Sequence, residues 1–299
     1  MTTPFLYAII FLIGLAVGSF LNVVGLRYKP NLYLLGTHVV GGRSRCVHCK
    51  KTLAWYELVP LVSFIYLRGK CHTCAHPISL QYPLVELATG VTLVTVPLYL
   101  FSLYGAATYA ATHASLSWYY ILNVVWALAI LALILISIID YWQRIIPDEL
   151  TVVIALLGVA KISTLLYFDK VFSIQQSLLQ NFALLGQFWS GVVINHVLGA
   201  VAALLVLGFI VLVTKGKGMG MGDVKLGTAL GLLFGWPDIL LVIVLAFFVG
   251  TLVMLPLLFR KARTLKDAVP FGPFLAGGAL LTFFFGYEIL TGYFSLFGI

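Results

Sequence analysis

The sequence predicts an all-α polytopic membrane protein of about eight transmembrane helices, with one small zinc-ribbon-like loop domain on the cytoplasmic side. Three observations carry this. The 299 residues are 62% hydrophobic and only 9% charged, which excludes an ordinary soluble domain. Apolar runs long enough to cross a bilayer recur at 4–26, 82–104, 118–139, 150–168, 191–213, 239–259 and 271–289. All four cysteines fall between the first two of these runs, as two CxxC pairs.

The first run lacks a basic head and leads straight into a basic segment, so it reads as a permanent helix rather than a cleaved signal. Within it, Gly14 and Gly18 suit close packing on a neighbouring helix, and Ser19 and Asn22 suit interhelical hydrogen bonds. The segment 27–81 carries Arg27, Lys29, Arg43, Arg45, Lys50, Lys51, Arg68 and Lys70 against the single acid Glu57. The positive-inside rule places it in the cytoplasm and the amino terminus outside. Alternation of the later spans then leaves 105–117, without Lys or Arg, outside, and puts Arg144, Lys215, Lys217, Arg260, Lys261, Arg263 and Lys266 inside. Lys161 and Lys170 have no place in this scheme. The net charge of +8 therefore mostly records topology, with basic loops facing anionic lipid and no nucleic-acid partner expected. The expected division is a first helix at 1–26, a cysteine domain at 27–81 and a membrane domain at 82–299.

The two pairs, Cys46 with Cys49 and Cys71 with Cys74, are 21 residues apart. Two such knuckles suit a tetrahedral four-thiolate zinc site, with the metal replacing a core that so few residues cannot build. Reversible dithiol chemistry is the alternative; structural disulfides do not fit a reducing compartment. His48, His72 and His76 are expected at the surface, because four thiolates already saturate the metal.

An eighth apolar run, 224–235, is too short to span, so the preceding GMGMGDVKL (218–226) is expected at membrane depth, buried in protein or lining a wet cavity. The chain has only ten acids, and two of them, Asp140 and Asp223, fall at the same cytoplasmic depth by helix parity alone. Two carboxylates brought together at low dielectric cannot both ionise easily, and one then acts as base for water while the other acts as acid. Gly220 and Gly222 would let a substrate backbone approach. The plainer alternative makes Asp140 a helix-end residue among headgroups and Asp223 the N-cap of the short helix. Asp148 and Glu149 read as the first turn of a helix. Glu86 is expected either against a basic substrate segment or paired with a loop arginine, and Lys225 either beside a carboxylate or snorkelling.

Taken in order, GSFLNVV with Arg27, the two CxxC pairs, WYELVPLVSF, LRGKC, ISLQYPLVE, IIDYWQRIIPDEL and GMGMGDVKL resemble the type IV prepilin peptidases. These are bifunctional leader peptidases and N-methyltransferases of bacterial inner membranes, aspartyl proteases with a GxGD motif. The resemblance implies that Asp140 and Asp223 are catalytic. It also implies cleavage of a basic leader from pilin or pseudopilin precursors after a glycine, on the cytoplasmic side. Methylation of the new amino terminus with S-adenosylmethionine would follow, in a region near Gly69. No glycine-rich nucleotide loop of the soluble type is present there. The segment 167–190 lengthens the interval between the aspartates to 83 positions, and its FSIQQSLLQNFALLGQFW is expected as an external interfacial helix. An ion-coupled transporter and a non-catalytic zinc-binding scaffold are the other classes that place carboxylates or cysteines in such a chain.

Overall fold

The computed structural model describes residues 4–30, 33–34, 36–110, 117–167, 177–182, 191–259 and 269–298. They form a multi-pass helical membrane protein that divides into two compact units, Met1–Ser102 and Leu103–Ile299.

The first unit is built on α1 (Pro4–Arg27) and the start of α4 (Gln81–Ala110). Small residues let the two backbones meet. A Cβ on Gly14 would lie 2.6 Å from the Cα of Gly90, so nothing larger than glycine fits. At the same contact the Thr89 hydroxyl donates to the Gly14 carbonyl at 2.8 Å. Nearer the loop, the Asn22 amide donates to the Tyr82 carbonyl at 3.3 Å and accepts from Gln81 at 3.2 Å, the interhelical role expected of it. Between these spans lie α2 (Thr37–Val40), a 3-10 turn at Trp55–Glu57 and α3 (Val62–Tyr66). Arg27, at the end of α1, donates to the carbonyls of Gly41 and Arg43 and so fixes the entry into the loop.

The second unit packs α5 (Ser117–Gln143), α6 (Asp148–Tyr167), α7 (Val192–Thr214), α8 (Met221–Phe234), α9 (Asp238–Phe259) and α10 (Gly272–Ser295). Seven helices of the described residues are long and apolar enough to cross a membrane, one for each apolar run, and α8 is the short eighth. Its 14 residues reach about 21 Å against a hydrocarbon core of about 30 Å. It is enclosed by α6, α7, α9 and α10. Contact with α7 is backbone to backbone, since a Cβ on Gly231 would lie 2.7 Å from the Cα of Ala200.

A helix that ends buried in protein, as α8 does at Leu233 and Phe234, leaves four carbonyls in need of partners. Here each one is satisfied. Gly235, at φ +87°, donates its amide back to the Gly231 carbonyl at 2.9 Å. His196 Nδ1 donates to Leu232 at 2.9 Å, and Lys161 Nζ donates to Leu233 at 3.0 Å and Phe234 at 3.4 Å. Lys161, one of the two cations without a place in the topology, is thus a buried helix cap, held above the Trp126 ring at 5.2 Å. Lys161→Met is expected to leave the Leu233 and Phe234 carbonyls unpaired and to lower stability by about 1–3 kcal/mol, read as a lower thermal midpoint of the detergent-solubilised protein.

Of the segment expected as an interfacial helix, residues 172–176 and 183–189 lie outside the described residues, as do Lys170 and the basic residues 260–266. Residues 177–182 form a turn ending in a 3-10 helix at Gln180–Phe182. It is pinned to the second unit rather than laid on its surface. Asp238 accepts from the Ser177 hydroxyl and, at 2.9 Å, from the Leu178 amide, while Leu178 and Leu179 are buried.

Candidate active site and cysteine cluster

On α5 the residues Trp126, Ala129, Leu133, Ile136 and Asp140 recur at helical spacing and are all buried. Asp140 therefore ends the inward stripe of its helix. It is 4% exposed, which rules out a residue solvated by headgroups. Its Oδ2 accepts the amide of Gly272 at 2.9 Å, the first residue of α10. That amide is one of the unpaired donors of a helix start, and the following Pro273 preorganises the turn. A Cβ on Gly272 would lie 2.7 Å from the carboxylate oxygen, so any larger residue here would push the Asp140 side chain aside.

Asp223 is the third residue of α8 and is 8% exposed. Its Oδ2 reaches back to the amide of Gly220 at 2.9 Å. The residue thus caps its helix from inside the first turn rather than from the N-cap position, which Gly220 occupies. Both carboxylates thus meet helix starts of the second unit. Each uses Oδ2 for a glycine amide at a helix start and, among the described residues, keeps Oδ1 for other partners. A helix amino terminus at each buried acid favours a negative charge that desolvation opposes, so neither charged nor neutral form is strongly preferred by both influences at once.

The neighbouring residues divide. Gly220 is exposed beside Asp223, whereas a Cβ on Gly222 would press on Ile146 at 3.3 Å. Lys225 pairs with Asp148 at 2.8 Å across exposed surface, and Asp148 with Glu149 opens α6. Glu86 belongs to the first unit, where its Oε2 accepts the Leu61 amide at 2.9 Å instead of an arginine. Gly272 went unnoticed in the sequence. The only local signal is the FGPF stretch, whose Gly-Pro pair marks a helix start but not the acid it faces.

In the first unit the sulfur atoms of Cys46, Cys49, Cys71 and Cys74 all lie within 4.8 Å of one another, and those of Cys46 and Cys74 are 3.9 Å apart. A tetrahedral zinc with Zn–S near 2.3 Å needs sulfurs about 3.8 Å apart, so the cluster is able to hold a metal. The two knuckles repeat one design. The Cys46 amide donates to the Lys51 carbonyl and the Cys71 amide to the His76 carbonyl, each at 2.9 Å. The residue after each second cysteine, Lys50 or Ala75, has a left-handed backbone. The Cys71 thiol is held down at about 7 by the amides of Cys74 and then Thr73, while Cys74, against the His76 amide that lowers it, is pushed up to about 11 by burial and by the neighbouring cysteines, so the thiolate is favoured at Cys71 first. His48 and His76 stack on each other at 4.3 Å, and among the described residues the cluster comprises the four cysteines alone.

Known proteins resemble this chain along both of its units. The model of the bacterial peptidase A24 N-terminal domain matches residues 12–100, and that of the type IV leader peptidase family matches residues 127–255. The chain is 31% identical to a prepilin leader peptidase/N-methyltransferase of Aeromonas hydrophila, over 98% of this chain and 96% of the relative. Proteins of the same name from Stutzerimonas stutzeri and Legionella pneumophila are 31% and 30% identical, over 94% and 97% of this chain and 91% and 94% of theirs. No solved structure matches. Identity sustained across both units and almost end to end assigns the chain as a whole: it belongs to the type IV leader peptidase family.

Proposed function

We propose that this protein removes the leader of type IV prepilins or pseudopilins at the Asp140 and Asp223 pair and then methylates the new amino terminus. The observation that carries the reading is the pair itself. It is supported by two acids 83 positions apart that are both buried in one helix bundle, each anchored through one oxygen and available through the other. With one proton between them, the ionised carboxylate takes a proton from water as it attacks the scissile carbonyl, and the protonated partner donates to the carbonyl oxygen. Collapse of the tetrahedral intermediate returns a proton to the leaving amine, and no covalent enzyme intermediate forms. Gly220, exposed beside Asp223, leaves room for an extended substrate backbone. Lys225 belongs to the edge of this approach through its pair with Asp148.

Residues 27–81 are assigned to metal binding, substrate handling and methyl transfer, and 82–299 to peptide cleavage. The metal is structural zinc held by Cys46, Cys49, Cys71 and Cys74, supported by four-sulfur geometry without a site left for water. S-adenosylmethionine, when bound, supplies an electrophilic methyl group. The chain's task is to present the neutral amine of the new first residue, with the turn at Gly69 the candidate region. The setting is the bacterial inner membrane, with the basic loop and both aspartates on the cytoplasmic side and the amino terminus outside, supported by the distribution of Lys and Arg.

Intact-mass analysis of a purified prepilin incubated with the detergent-solubilised protein tests this. Loss of the leader, followed by one methyl group only when S-adenosylmethionine is added, is expected; an unchanged precursor mass with a folded, metal-loaded sample contradicts it. In the same assay Gly272→Ala is expected to slow cleavage at least about tenfold, because the added methyl displaces Asp140, with a loss of about 1–3 kcal/mol in stability. Wild-type rates in that variant would remove Gly272 from the site.

A further inference from the structure

In α3 the residues Val62, Ile65 and Tyr66 occupy positions i, i+3 and i+4, a single helix face, and they are 61%, 74% and 79% exposed. Phe64 turns the other way, its ring against Gly69, where a Cβ would meet it at 3.1 Å. The helix thus directs its apolar face away from its own module. The 3-10 turn in contact with it adds Trp55, 80% exposed, and Tyr56.

The depth of this face is set by a hydrogen bond. The amide of Leu61, the residue before α3, donates to Glu86, five residues into the span that starts at Gln81, or about 7.5 Å along it. On the adjoining span, Gly18 lies against Glu86, with a Cβ on Gly18 coming 2.7 Å from the Glu86 Cα. Gly18 is nine residues, about 13 Å, short of Arg27 at the end of α1. Leu61 is therefore held within the length of both spans rather than beyond their ends. Leu84 and Leu87, on either side of Glu86, are exposed on α4 and continue the lipid-facing surface at that level. Arg68 and Lys70, exposed just after α3, return the chain to a polar surface with charges that suit anionic headgroups.

We propose that residues 55–66 are an interfacial membrane element. The α3 helix lies in the plane of the bilayer, Val62, Ile65 and Tyr66 enter the boundary between headgroups and acyl chains, and Trp55 and Tyr56 stand at headgroup level. The occupant of the apolar face is lipid, and the element fixes the height of the cysteine module above the membrane. Glu86 is the anchor of this arrangement: a carboxylate inside a span that draws a loop amide down to it.

A fluorescent amino acid at Ile65 of the full-length protein, reconstituted in phosphatidylethanolamine and phosphatidylglycerol vesicles, tests the assignment. Several-fold stronger quenching by shallow spin-labelled lipid than by aqueous iodide is expected, with deep-labelled lipid weaker than shallow. The same probe at Thr73, in the knuckle, provides the water-exposed reference. Quenching at position 65 by iodide but not lipid would place this face in water and overturn the proposal. Protection from both would mean that protein, whether a precursor or a second copy, covers the face, and would overturn it equally.

Discussion

Cys71→Ser is expected to strip the metal from the first unit and to unfold the loop around it. Structural zinc sites contribute about 10–16 kcal/mol to the folding of small modules, and the segment between α1 and α4 has little else to replace that. Among the described residues its regular structure amounts to two isolated β-bridges, Arg45 to Thr52 and Lys70 to Pro77, two helices of four and five residues and a 3-10 turn. Of its cysteines only Cys71 is buried. Metal analysis should fall from one zinc per chain to none, and limited proteolysis should open residues 41–80 while the second unit survives. Methyl transfer should be lost. Leader cleavage should persist at a measurable rate, because both aspartates lie in the other unit. Treatment of the wild type with a strong chelator should reproduce the pattern. Retained zinc in Cys71→Ser would show that the cluster is not a four-thiolate site.

What the sequence could and could not tell follows from the range of each interaction. Hydropathy is a property of contiguous residues, and so each of the seven spans among the described residues is legible, as is the shortness of α8. The four-cysteine cluster is legible because two CxxC pairs have the spacing that a metal site would need. Helix parity placed Asp140 and Asp223 at one depth but said nothing about rotation. The inward phase of Asp140 was present in the stripe from Trp126 to Ile136, yet the neighbouring run is so uniformly apolar that no polar face marks the opposite side. The contacts that mattered most join distant positions. Gly272 meets Asp140 across 132 residues, and Lys161 caps a helix end 72 positions away. Neither partner is encoded in a local pattern. The sequence offers Glu86 a substrate or an arginine as partner and gives no sign of the Leu61 amide, because main-chain donors have no sequence signature.

Asp223→Asn and Asp140→Asn carry the second large expectation. Asparagine keeps the shape and can still accept the Gly220 or Gly272 amide, so the thermal midpoint and zinc content should stay close to wild type. What it cannot do is share or transfer the proton. Loss of one general acid or base costs about 10²–10⁴ in rate, and here the two roles depend on each other, so the upper end of that range is expected for either variant.

The measurement that bears most directly on the carboxylate pair is an intact-mass time course of one purified prepilin with wild type, Asp140→Asn and Asp223→Asn, at equal concentrations of folded, zinc-loaded protein. The account predicts leader loss with the wild type and an unchanged precursor mass with both variants throughout the time in which the wild type reaches completion. Cleavage by either variant at a rate near that of the wild type would contradict it and move the chemistry away from these two residues.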